Sequence, residues 1–186
     1  MANEEKDMET LKTEKEADIR EWTERKIVVS KQWIEEEETQ KGRNFIRGGI
    51  YMCELGENIG NEQGEVRPVI VISNDLINTT SGNVFIVPLT KNLKKKVKRD
   101  GNRQVIRDTN GRVVYLDVPK MQSHYFLRKS KYDFLTHDSA AMTEVSRAVS
   151  KIRITTHLGT ISDSDLEKIS TRLEWVMGIR KSNRKS

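Results

Sequence analysis

Apolar residues are sparse over the first forty positions. Met8, Leu11, Ile19, Trp22, Val29 and Trp33 fall mostly three, four or seven apart, the spacing of one stripe on an amphipathic helix. No Gly or Pro interrupts residues 3–40, good helix formers dominate, and Gly42 is the expected stop. Lys15 and Lys26 break the stripe, which argues against a long coiled coil. Four acids at 35–38 would crowd the negative end of the helix dipole, so a break near residue 34 is expected. Three roles fit such a helix: a solvated extension, a self-association or partner-binding element, or an acidic lid over the rest of the chain.

The pattern then changes to short apolar runs bounded by turn residues. Residues 46–55 read as a strand, and the Gly- and Asn-rich stretch 56–64 reads as a loop. Residues 66–72 form an aliphatic strand in which Pro68, lacking an N–H, should stand first or on an unpaired side. A polar connection at 74–82 has room for one helical turn, and 84–89 is the next buried strand. Asn110-Gly111 between 104–106 and 113–116 signals a hairpin, because both residues tolerate positive φ. Weaker strands are expected at 140–145 and 152–156. Ser162, with Asp163 and Asp165, then opens a helix whose Leu166, Ile169, Leu173, Val176 and Met177 recur at helical spacing up to Gly178. The basic tail 180–186 is expected to be disordered. No internal repeat is evident. Short strands with turn signals and one closing helix predict a small barrel or an α+β domain.

Composition narrows this further. The 186 residues carry 33 Lys plus Arg against 28 Asp plus Glu, three His and one Cys. Cys53 alone excludes an internal disulfide framework and any thiolate cluster within one chain, and the His show no metal-ligand spacing. Val69 to Ile72 is the longest aliphatic run, far short of a membrane span. With no signal-peptide pattern, a cytoplasmic protein is expected. Charge divides the chain: residues 1–43 are net −4 and residues 44–186 net +9, with 13 basic residues between Lys91 and Lys131. Such a body attracts polyanions, or it is simply a solvated basic surface.

The motifs decide between those readings. Arg47-Gly48-Gly49-Ile50-Tyr51, followed by Asn61 through Asp75 with its Glu62-Gln63-Gly64 and Arg67-Pro68-Val69-Ile70-Val71-Ile72 segments, resembles the opening of the MazF/PemK (Kid) family of toxin endoribonucleases. Val87-Pro88-Leu89-Thr90 is similar to that family's strand ending in Thr or Ser. Asp138-Ser139 with Glu144 and Arg147 resembles a later block, and residues 162–178 its closing helix. The resemblance implies a mainly β (α+β) fold. It would be a small SH3-like barrel of the MazF/PemK/CcdB type with a C-terminal helix. To it are added an N-terminal helical extension over 1–43 and an insert at about 94–136 within a domain spanning 44–179. It also implies a homodimer, a cognate antitoxin, no membrane and no metal or other cofactor. The implied activity is cleavage of single-stranded RNA by attack of a ribose 2′-OH on its own phosphate. That yields a 2′,3′-cyclic phosphate and a 5′-OH.

On this resemblance Arg67 and Thr90 are the catalytic residues. A guanidinium gives fixed donors for bidentate phosphate binding; alternatively Arg67 only pairs with a loop carboxylate. Thr90 either holds the scissile phosphate or is an ordinary strand end. Glu62, Gln63 and Gly64 border the RNA groove, and Gln63 reads a base edge or caps the loop. Lys91, Lys94, Lys95 and Arg147 complete the RNA-binding candidates, with residues 94–99 expected as a mobile basic loop. Val145 and Ser146 depart from the family's Gln and Ile, which weakens a base contact near Arg147. The insert carries His124, Tyr125, Phe126, Tyr132 and Phe134 among Arg128, Lys129 and Lys131. These aromatics stack on bases or pack the insert against the body. His124 and His137 are acid–base candidates. A non-catalytic binding protein on the same barrel, either RNA-binding or a gyrase poison, is the competing class.

Overall fold

A computed structural model describes residues 7–179; the basic tail at 180–186 lies outside the described residues. Helix α1 (Met8–Gly42) ends at the expected glycine, and its irregularity is at Glu36 (φ −116°, ψ 16°). Strands β1 (Gly49–Gly56), β2 (Glu65–Val71) and β3 (Asn83–Thr90) follow, with the short helix α2 (Asp75–Thr80) between the last two. Then come β4 (Lys94–Val97), β5 (Tyr115–Val118), β6 (His124–Leu127), β7 (Ser139–Met142), β8 (Arg147–Ser150), β9 (Ile154–Thr160) and helix α3 (Asp163–Val176).

The main antiparallel sheet runs β6-β7-β3-β2-β1-β9, and β8 pairs with the first half of β3. Strands β1 to β3 are covered on both faces, which is why they read as continuous apolar runs. On one face Ile50, Ile70, Val87 and Leu89 pack with Leu127, Tyr132, Leu135, Leu166 and Ile169. On the other Tyr51, Cys53, Leu55, Val69, Val71, Val84 and Ile86 pack with Phe45, Val149 and Ile154. Burial of Cys53 pushes its thiol pKa up to about 11, in keeping with a small core residue. Pro68 is paired with β1, but the β2–β3 ladder begins only at Val69, so its missing N–H breaks no ladder.

The mainly β (α+β) class holds, and the expected closed barrel is corrected to an open antiparallel sheet. The edge strands β8 and β9 are joined by a 3-10 turn, Lys151–Arg153, and no ladder links them. Side-chain donors from and around this turn take backbone carbonyls of the turn, of β1 and of the end of α1 instead. Arg43 donates to the carbonyls of Lys151 (2.9 Å) and Ile154 (2.7 Å), and Arg153 donates to those of Glu54 and Leu55 (2.7 Å each). Lys151, fully buried, donates its Nζ to the Lys41 carbonyl at 2.6 Å. Carbonyls satisfied by guanidinium and ammonium groups no longer need a neighbouring strand.

The same bonds tie α1 down, so the helix is not simply solvated. Trp22 lies on Gly56, where a Cβ would stand 2.2 Å from its ring, and Trp33 lies on Gly82. Ion pairs join Arg25 to Glu54 (2.7 Å) and Lys15 to Glu57 (2.5 Å).

The insert is also ordered. Residues 94–99, expected as a mobile loop, begin a hairpin arm in which β4 pairs with β5, Lys94↔Val118 through Val97↔Tyr115. The arm is a separate two-stranded sheet. Of the insert's aromatics, Tyr132 is buried, and Phe134 covers Gly159, where a Cβ would meet its ring at 2.2 Å. Tyr125 and Tyr132 donate to Asp165 on α3, at 2.8 and 2.6 Å. These three pack the insert onto the body.

Candidate active site

The β2–β3 register pairs Val69 with Pro88. Extended by two residues, it sets Arg67 opposite Thr90, on the same face of the sheet. Both line a groove of about 1060 Å³ between the β1–β2 loop and the β6–β7 hairpin. Its loop wall is Glu57, Asn58 and residues 60–65, and its other wall includes Lys91, Lys120, His124, His137, Ser139 and Glu144.

Arg67 is held entirely by the loop that precedes it. Its Nε donates to the Gly64 carbonyl at 2.6 Å, one Nη donates to the Gln63 side-chain oxygen, and the other reaches Glu65 at 3.3 Å. The pairing with a loop carboxylate is thus real but long, and Glu65 itself is 75% exposed. The loop is in turn stapled by Asn58, whose side chain donates to the Gln63 carbonyl at 2.6 Å. Gly64 is required by close approach, because a Cβ there would meet the Gly56 carbonyl oxygen at 2.5 Å. Glu65 is in the left-handed region (φ 63°), a strained conformation for a non-glycine residue, at the bulge where Gly56 and Glu65 shift register. Strain and hydrogen bonds together aim the guanidinium into the groove.

Thr90 closes β3 and is paired with Ala140 on β7. Its hydroxyl accepts from the Asn92 N–H at 3.1 Å, which leaves its own proton to donate. On the groove's far wall His124 is buried and its Nε2 meets Glu144 Oε1 at 2.7 Å. Among the described residues, His124 Nδ1 and Glu144 Oε2 are buried without a hydrogen-bond partner. His137 is exposed on the rim.

Of the residues expected from sequence, Arg67, Thr90, Glu62, Gln63, Gly64 and Lys91 share this groove. Lys94 and Lys95 do not line it; they lie on the arm, where Lys95 pairs with Asp117 at 2.6 Å. Arg147 is also outside it, lining a hollow with Trp22, Trp33 and Arg153 on the α1 side. The only α1 residue on the groove is Lys15, so among the described residues the acidic side chains of α1 form no lid over it. The His124–Glu144 pairing and the Asn58 staple had no sequence signal beyond the residue types. No described helix is long and apolar enough to cross a membrane.

A clamped arginine and a strand-end threonine thus share one groove of a mainly antiparallel β protein with a closing helix. The chain belongs to the PemK-like, MazF-like toxins of type II toxin-antitoxin systems, whose family model matches residues 46–177. Among its relatives is Endoribonuclease MazF of Staphylococcus saprophyticus, 27% identical over 133 residues, which cover 72% of this chain and 91% of the relative. Endoribonuclease EndoA of Bacillus subtilis is 27% identical over 128 residues, covering 69% and 90%. A solved endoribonuclease from a mycobacterial species, in complex with its cognate antitoxin, is 17% identical. That match spans 75% of this chain and 98% of the other, at a TM-score of 0.47.

Proposed function

We propose that this chain is the toxin endoribonuclease of a type II toxin–antitoxin pair and that it cuts single-stranded RNA in the Arg67–Thr90 groove. The observation that carries the reading is the convergence of those two residues on one groove, in a chain whose relatives are named endoribonucleases. In the reaction the ribose O2′ bonds to the adjacent phosphorus while the P–O5′ bond breaks. The 2′-hydroxyl loses its proton and O5′ gains one, so the products are a cyclic phosphate and a 5′-hydroxyl. Negative charge grows on the non-bridging oxygens at the transition state. Fixed donors aimed at that charge supply the largest part of such catalysis. Arg67 provides a preoriented cation and Thr90 a hydroxyl donor. Glu62, Gln63, Gly64 and Lys91 form the rim that receives the flanking nucleotides. An antitoxin partner, a homodimer and a cytoplasmic site of action go with this reading. So does the division into an extension at 1–43 and a domain at 44–179.

The test is single-turnover cleavage of a long unstructured RNA by the wild type and by Thr90→Ala and Thr90→Ser. Loss of one oriented donor should slow Thr90→Ala by about 10²-fold, with Thr90→Ser near wild type. Equal rates for all three would remove Thr90 from the mechanism. A folded wild type that binds RNA without cutting it would leave a binding protein.

A further inference from the structure

The arm rooted on the groove's wall at Lys91 and Lys120 is built from a repeat that is hidden in the linear sequence. Residues 99–106 read Arg-Asp-Gly-Asn-Arg-Gln-Val-Ile, and residues 107–114 read Arg-Asp-Thr-Asn-Gly-Arg-Val-Val. Both octapeptides fold into the same turn, which corrects the expectation of no internal repeat. In each, the Asp side chain accepts from the backbone N–H groups two and four residues on. Asp100 takes those of Asn102 and Gln104, and Asp108 takes those of Asn110 and Arg112, all at 2.8–2.9 Å. In each, the leading Arg donates to its own turn: Arg99 to the Arg103 carbonyl (2.9 Å), Arg107 to that of Gly111 (2.8 Å). The equivalent residues Arg103 (φ 64°) and Gly111 (φ 75°) both take the left-handed conformation. The two turns and the β4–β5 stem meet at a three-way junction eight residues apart. There Lys98 N–H donates to the Val114 carbonyl, Val114 N–H to that of Ile106, and Ile106 N–H to that of Lys98.

This design consumes the arm's acids and leaves its cations. Between Lys91 and Lys120 there are ten basic and three acidic residues. Asp100 and Asp108 are committed to their turns and Asp117 to Lys95. Lys94, Lys96, Lys98, Arg103 and Arg112 are exposed, and no hydrogen bond or ion pair of their side chains is present among the described residues. Tyr115 is 55% exposed on the stem, paired with Val97. The arm buries no core of its own, yet both of its roots lie on the groove, Thr90 to Asn92 at one end and Lys120 and Met121 at the other.

We propose that this twin-turn arm is a second RNA-binding element. It holds the phosphates of the single strand leaving the groove, with Tyr115 as a stacking platform for a base. The inference rests on the reading of the groove as an RNA site. The register sets Tyr115 on the face of the stem opposite Lys94, Lys96 and Lys98, and an arm that offers unpaired cations on one face and an exposed aromatic on the other can grip the phosphates and the bases of one single strand. Continuity with the groove favours the substrate strand over a separate ligand.

The test compares the Arg67→Ala protein, expected to bind without cutting, with the same protein carrying Lys96→Gln, Lys98→Gln, Arg103→Gln and Arg112→Gln. The probes are fluorescent uridine oligomers of 30 and 6 nucleotides at several KCl concentrations. Each phosphate that is no longer neutralised lowers the log–log salt slope by about 0.7 for a single strand. The 30-mer should therefore bind at least about 10-fold more weakly to the arm variant, with a slope shallower by about 3. The 6-mer, too short to leave the groove, should bind both alike. Tyr115→Ala should weaken the 30-mer several-fold with no change in slope. Circular dichroism should be unchanged, because the turns are held by residues left intact. Identical 30-mer affinity and slope would overturn the proposal. So would unchanged RNA binding together with loss of poly-glutamate binding, which would assign the arm to an acidic protein partner. If the wild type cuts no RNA while arm-dependent binding persists, the catalytic reading fails and the arm stands.

Discussion

Arg67→Ala is expected to lower single-turnover RNA cleavage by about 10³-fold, on the order of 4 kcal/mol of transition-state stabilisation. The guanidinium is the cation that the loop fixes, through Gly64, Gln63 and Glu65, into the groove. Its bonds to the loop are already made before substrate arrives, so little reorganisation accompanies the growth of charge on the phosphate. Arg67→Lys should recover only part of the rate, because an ammonium cannot hold both the Gly64 carbonyl and a phosphate in a planar fork. RNA affinity should change far less than rate, since the rim and the arm supply other cations. A fall in affinity with no fall in saturated rate would make Arg67 a binding residue only.

Asp165→Ala is the substitution with the largest expected cost in stability, about 3 kcal/mol. The carboxylate is buried in the first turn of α3, where the helix dipole favours it. It accepts from Tyr125, Tyr132 and Lys131, the last at 2.8 Å. Its removal leaves the Tyr125 hydroxyl without an acceptor, leaves Tyr132 only the longer contact with Ser162 Oγ at 3.1 Å, and unpins the insert from the helix. Lys131 is half exposed, so the tyrosine bonds contribute more than the ion pair. Burial by itself would raise the Asp165 pKa, but hydrogen bonds from Lys131, Tyr132 and Tyr125 outweigh it and hold the value below the ordinary one. The same environment pushes Tyr125 up to about 12, through burial and then its bond to Asp165. A carboxylate lowered in the folded state adds stability above its unfolded pKa of about 3.9, and that stability is lost as pH falls through the lower folded value. Urea unfolding at pH 7 and at pH values stepped down below about 3.9 should show this loss in the wild type and a flatter dependence in Asp165→Asn. Parallel pH dependences in the two proteins would contradict the assignment.

The parts of the molecule legible in sequence are those where one residue type is forced. The inner parts of β1 to β3 are buried on both faces, so Ile50 to Cys53, Val69 to Ile72 and Val84 to Leu89 read as apolar runs. Arg67, Gly64 and Thr90 were legible through a motif because a tight loop and a strand end constrain them. Strand β4, Lys94–Val97, was not legible, since three consecutive lysines show no alternation. The arm is held by backbone bonds and two aspartates rather than by apolar contacts, and periodicity does not report such bonds. The open edge is illegible for a related reason: the carbonyls of Lys151 and Ile154, at the turn between β8 and β9, are taken by Arg43, more than a hundred residues away in the chain. Arg147 lies in a residue block resembling the family's, yet its strand faces the α1 hollow rather than the groove.

The most direct measurement is the chemistry of the cut ends. The purified full-length protein is incubated with a long unstructured RNA in EDTA, beside Arg67→Ala, and the products are mapped at both termini. The account predicts discrete cuts with 5′-hydroxyl and 2′,3′-cyclic phosphate ends, absent with Arg67→Ala. Fragments bearing 5′-phosphate ends, or cutting that persists undiminished in Arg67→Ala, would contradict it.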